Sequence, residues 1–142
     1  MEERLQLLEK TAELASSGHA ALTAALPLIR DGSLYRAAEA QLQVYSRLLE
    51  QTGRLLAAAG QRPPLQNRSR LGSYFVLQVK ALGAQADRQL TALLLQGIHD
   101  SVIDLTGMLH SLALPKELPE CVLAGRLLAA EERCYRQWKR FL

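Results

Sequence analysis

Apolar residues recur along this chain in steps of three and four, the spacing that lays a stripe along one face of an α-helix. The first such run covers about residues 3–29, where Leu5, Leu8, Ala12, Ala15, His19, Leu22, Leu26 and Ile29 form one seam. Pro27 should bend or finish that helix, because proline lacks the N–H that an interior position donates. The second run covers about 33–59, with Tyr35, Ala38, Leu42, Tyr45, Leu49, Thr52, Leu56 and Ala59 as its seam. Between them Arg30-Asp31-Gly32-Ser33 reads as a turn. Gly32 suits the left-handed position after a helix, and Ser33 suits the cap of the next. Gly60 and the pair Pro63-Pro64 stop the second run. So short a connection predicts an antiparallel hairpin.

From Leu71 to Leu112 the pattern is helical almost throughout. As one helix it would be about 63 Å long, too long for a bundle built with the first two. A break is therefore expected near Gly83 to Asp87, with Asp87 as N-cap. It leaves a short helix over about 71–82 and a full one over about 88–112. The latter carries the seam Thr91, Leu95, Ile98, Val102, Leu105, Leu109 and Leu112. Pro115 and Pro119 then bracket a turn, and a last helix over about 118–141 buries Leu123, Leu127, Ala130, Cys134, Trp138 and Phe141.

The connections predict the topology. Two are short; the middle one, from Gly60 to Asp87, is long enough to travel the length of a bundle. Two hairpins joined by one long crossover is one solution. A simple up-down bundle with an appended short helix is the other. Either way the chain reads as one all-α domain over 1–142. Composition agrees: 142 residues suit one domain, 49% are hydrophobic, and aromatics are only 5%. A Leu- and Ala-rich core favours helices.

The layout resembles the ferritin-like four-helix bundle superfamily. It is closest to the short, uncharacterised bacterial members of that group, which show a Gly-aromatic segment in the crossover like Gly72-Ser73-Tyr74-Phe75. The resemblance covers nearly the whole chain in layout. In that superfamily a di-iron site takes carboxylates from the inner faces and two Glu-x-x-His pairs, since residues i and i+3 share a helix face. This chain departs from that motif. Glu39 and Glu50 are followed three residues on by Leu42 and Gly53, and Glu131 and Glu132 by Cys134 and Tyr135. Before His99 at the same spacing stands Gln96, in the stretch LLQGIHD. Gln is a poorer iron ligand than a carboxylate. No standard ligand set is carried over, so no metal, cofactor-binding or catalytic residue is assigned.

The polar residues on the seams retain two readings each. His19 and His99 are either ligands or packed, hydrogen-bonded imidazoles, with Gln96 the expected partner of His99 on an inward face. His110, near a helix end, complements the helix dipole. Glu131 lies between Leu127 and Cys134 on an inner face and needs a partner there: Tyr45, a histidine, an arginine or a metal. Glu132 points away and should be solvated. Tyr35 and Tyr45 are expected to place their hydroxyls in a polar layer. Cys121 and Cys134, about 20 Å apart on one helix, cannot pair. A dipole near Cys121 would lower its pKa if the thiol were reactive.

Charge narrows the partners. A net charge of +3 is too weak for a nucleic-acid surface. The basic, aromatic tail from Arg133 to Leu142 has two readings: a contact with an anionic membrane or nucleic acid, or, more simply, Trp138 and Phe141 anchoring the last turns while the cations complement the helix end. No run approaches the roughly 20 apolar residues of a membrane span, and the charged start MEERLQLLEK gives no expectation of a leader. Isolated cysteines suit a reducing cytoplasm. The expectation is a cytoplasmic, non-enzymatic bundle with a structural or protein-interaction role. The alternative is an atypical metal-binding or iron-oxidising bundle using His19, His99 and Glu131. Surplus apolar residues on the third long helix, Leu93, Leu94, Leu95 and Ile103, suggest a homodimer.

Overall fold

The computed structural model of this chain describes residues 2–61 and 86–142, apart from the side chain of Ala86. The short helix expected over 71–82, the Gly72–Phe75 segment and most of the expected break at 83–87 lie outside the described residues. The described residues form an all-helical bundle of four α-helices. Helix α1 spans Glu2–Ala25 and tightens into a 3₁₀ turn at Leu26–Leu28. The tightening falls at Pro27, which supplies no N–H to an α-helical ladder. Helix α2 spans Gly32–Ala58, α3 spans Ala86–Leu112, and α4 spans Pro119–Trp138 before a closing 3₁₀ turn at Lys139–Phe141.

Two expected caps are corrected. Gly32 is the first residue of α2 and not a left-handed terminator, and the cap is Asp31, not Ser33. Asp31 is extended, and its carboxylate accepts from the Leu34 N–H at 2.9 Å. A carboxylate is the stronger acceptor and also faces the positive end of the helix dipole. The left-handed glycine is Gly60, with φ of +77° after α2. Asp87 does not cap α3, because it already lies within the helix. Its carboxylate instead takes the Arg30 N–H at 3.0 Å and the Asp31 N–H at 2.7 Å. It thereby satisfies the backbone donors of the turn between α1 and α2, 56 and 57 residues away.

That clamp brings the starts of α2 and α3 to one end of the bundle. At the other end Arg4 of α1 holds Glu120 of α4 through two contacts, Nε to Oε1 at 3.0 Å and Nη2 to Oε2 at 3.2 Å. A two-pronged guanidinium–carboxylate pair fixes orientation as well as position. So α1 and α4 start together, α2 and α3 start together at the far end, and the two sets run antiparallel. Helix α1 packs on each of the other three, α4 packs on α2 and α3, and α2 and α3 stand across the diagonal.

The buried seams keep the three-four rhythm, with one rotation. In α2 they run Leu34, Ala38, Gln41, Tyr45, Leu48, Thr52 and Leu56, shifted toward the residue before several expected positions. Tyr35 is 38% exposed and does not join the centre. In α1, Leu8, Ala12, Ala15 and Leu22 are buried as expected, joined by Leu7, Thr11 and Ser16; His19 is half-buried. In α4 the expected seam is buried through Trp138, with Phe141 half-buried.

Close approach of α1 to α2 depends on Gly18. A Cβ placed there would stand 2.7 Å from both Cε atoms of the Tyr45 ring and closer still to its Cζ. Gly18→Ala should therefore lower stability by up to about 2 kcal/mol in urea unfolding. An overpacking cost of about 1–3 kcal/mol exceeds the roughly 1 kcal/mol of helix propensity gained.

Candidate functional site

The centre of the bundle is polar at one level. Glu131 of α4 is 1% exposed. The Tyr45 hydroxyl of α2 donates to its Oε2 at 2.7 Å, and the Ser101 hydroxyl of α3 donates to its Oε1 at 2.6 Å. Tyr45 reaches this position because its ring packs against Gly18 of α1. Each of the four helices thus contributes one residue to a single layer. Of the partners open to Glu131 in the sequence, Tyr45 is the one found. Ser101 was not singled out, since a lone serine on a helix carries no distinctive spacing. Gly18 carried a faint signal, a helix-weakening residue in the middle of a long helical run.

Burial dominates the electrostatics. It pushes the Glu131 carboxyl up to about 7, against the opposing pull of the hydrogen bonds from Ser101 and Tyr45. Burial and then the Glu131 charge raise the Tyr45 hydroxyl well above its ordinary value, so it remains a donor. The same two causes push the Cys134 thiol up to about 12. The Cys121 thiol is also raised, by burial first and by Glu120 next, against the lowering that a reactive thiol at the helix start would show. Both thiols are free and neither is activated.

A cavity of about 300 Å³ adjoins this layer. Its walls are largely apolar, from Leu14, Leu22, Leu94, Ile98 and Trp138, and its polar lining includes Gln41, Tyr45, Ser101 and Glu131. Gln41 is 8% exposed, and its Nε2 has no hydrogen-bond partner. The amide lies near enough to the Tyr45 hydroxyl to lower its pKa somewhat, but it makes no bond of acceptable geometry.

His99 does not converge on Glu131. His99 is exposed, corrected from the inward face expected for it. Its ring lies 6.1 Å from that of Tyr135 in a separate surface cleft shared with Glu132 and Arg136. Gln96 is also exposed, and it donates to Asp100 at 3.1 Å and not to His99. The reason is angular: Leu94, Leu95, Ile98 and Ser101 take the inner face of α3, which turns positions 96 and 99 outward. His19 is partnered and half-buried. Among the described residues no group of three or more His, Cys, Asp and Glu side chains is placed to hold a metal ion. Glu132 is exposed, as expected. In the tail, Lys139 and Arg140 lie over the Tyr135 and Phe141 rings while Trp138 is buried, so the aromatics anchor the chain end.

No helix among the described residues is long and apolar enough to cross a membrane. In comparisons with family models, with curated proteins and with solved structures, nothing matches this chain.

The raised carboxyl pKa sets a pH dependence. Folding favours the protonated acid, so its contribution is complete below about pH 4.5 and is lost as pH rises to about 7. The shift corresponds to about 3 kcal/mol. Glu131→Gln should accordingly gain stability over the parent by about that much between pH 4.5 and pH 8. Its amide oxygen can accept from Tyr45 and its nitrogen can donate to Ser101. Urea midpoints of the two proteins across this range check the difference.

Proposed function

We propose that this chain is a non-enzymatic four-helix module of ferritin-like layout, with a structural or protein-interaction role. The observation that carries this reading is the state of Glu131. The central carboxyl has one hydroxyl on each oxygen, and among the described residues no group of three or more His, Cys, Asp and Glu side chains is placed to hold a metal ion. Di-iron chemistry needs several ionised carboxylates and two histidines around one point. A single carboxyl with a pKa near 7, satisfied by hydroxyls, serves to fix the register of the helices.

The ferritin-like part of the reading is supported by direction and adjacency. Helices α2 and α3 start at the same end and stand across the diagonal. Two hairpins joined by a full-length crossover produce that pattern, whereas an up-down bundle makes its second and third helices antiparallel neighbours. A homodimer belongs to the same reading and is supported by Ile103, which stands 59% exposed on α3. A cytoplasmic setting accords with two unpaired cysteines.

Elemental analysis after incubation with ferrous iron in air tests the reading. The expected result is no retained iron and no oxidation above buffer. Near-stoichiometric iron that is lost in both His99→Ala and Glu131→Ala would replace it with the atypical metal bundle. Sedimentation at tens of micromolar should give the mass of two chains, reduced to one by Ile103→Lys.

A further inference from the structure

The cavity beside Glu131 is more than a packing gap. Voids in helical cores are usually apolar on every side and small. This one has about 300 Å³ of space, and an apolar cavity of about 150 Å³ already holds a benzene ring. It also contains an unused donor. Gln41 Nε2 is buried without a partner, on a residue that is 8% exposed and lines the cavity. An amide N–H left unpaired in such a place costs free energy until an acceptor meets it.

The walls define what that acceptor belongs to. Leu14, Leu22, Leu93, Ile98 and Trp138 offer an apolar slot for a flat or compact hydrocarbon body. The carboxyl oxygens of Glu131 each accept one hydrogen bond and have lone pairs left for another. A hydroxyl does both in one atom, accepting from Gln41 and donating to Glu131. Charge excludes an anion: Glu131 lines the interior, and the exposed Asp100 and Asp104 line the same cavity. Lys10, 3.7 Å from Asp104, offsets only part of that negative charge.

We propose that this cavity is a binding site for an uncharged phenol or alcohol of two-ring size, whose oxygen accepts from Gln41 and whose hydroxyl donates to Glu131. The site goes beyond a structural role, because it gives the module a small-molecule ligand without any catalysis. It occupies the polar layer that the four helices share, so a bound molecule touches all of them.

Calorimetric titration of the full chain with 2-naphthol, naphthalene and 2-naphthoate tests this. The expected order is 2-naphthol about tenfold tighter than naphthalene, the worth of about one buried hydrogen bond, and 2-naphthoate weakest. Gln41→Leu keeps the size of the side chain and leaves only the bond to Glu131, so it should cut the advantage of 2-naphthol over naphthalene to about threefold. Gly97→Phe is a second variant: Gly97 lines the cavity, and a Cβ there meets nothing within 4 Å. It should fold and lose binding of both probes. Equal binding of 2-naphthol and naphthalene, or binding unchanged in both variants, would overturn the site. So would absence of heat with all three probes at millimolar concentration. Iron retention in the assay above would overturn the non-enzymatic reading and leave these titrations interpretable.

Discussion

Burial of the Glu131 carboxyl is the constraint on which the middle of the bundle is arranged. An acid removed from water needs either hydrogen-bond donors or its proton, and here it has the first and is pushed toward the second. The donors come from two different helices, so the acid ties α2 and α3 to α4. Helices α2 and α3 pack mainly on α1 and α4, and this shared acceptor and the Asp87 clamp add polar links between them. The Tyr45 hydroxyl reaches the acid only because α1 presents no side chain at Gly18. A glycine on one helix, a ring on the second and an acid on the fourth thus form one dependency.

Much of this was legible in the sequence. The three-four rhythm located all four long helices to within a few residues, because burial of a stripe is what the rhythm encodes. The α4 seam through Trp138 came out residue by residue, and Glu131 stood out as an acid between Leu127 and Cys134. Its bond to Tyr45 was among the partners open to it. The rest was not legible for identifiable reasons. A seam rotated by one residue satisfies nearly the same spacing, so Leu34 and Tyr35 were exchanged. The outward turn of His99 follows from which of Leu93, Leu94 and Leu95 faces in, and three adjacent leucines do not say. The double duty of Asp31 and Asp87 depends on two turns meeting in space.

The candidate site shows the same division. Its carboxyl was visible as a chemical problem, while the cavity beside it arises from the gap between helices and has no signature along the chain. Gln41 is buried because the α2 seam passes through it and not through Leu42, the position the spacing favoured. The metal reading depends on side chains from three helices converging, and spacing within one helix constrains convergence only weakly.

The ties at the two ends of the bundle have a consequence for how the chain reaches its fold. The hairpin of α1 and α2 forms from residues near in sequence, and so does that of α3 and α4. The links between the hairpins span 57 residues at Arg30–Asp87, 86 at Tyr45–Glu131 and 116 at Arg4–Glu120. Closing such loops has an entropic cost that rises with their length, and contacts distant in sequence slow folding. The hairpins are therefore the fast events, and their docking is the slow one. Because these three links are polar and directional, an encounter that buries the apolar faces out of register leaves a buried acid unsatisfied and comes apart. Selectivity among encounters, more than speed, is what a charged and hydrogen-bonded seam contributes to the assembly of this bundle.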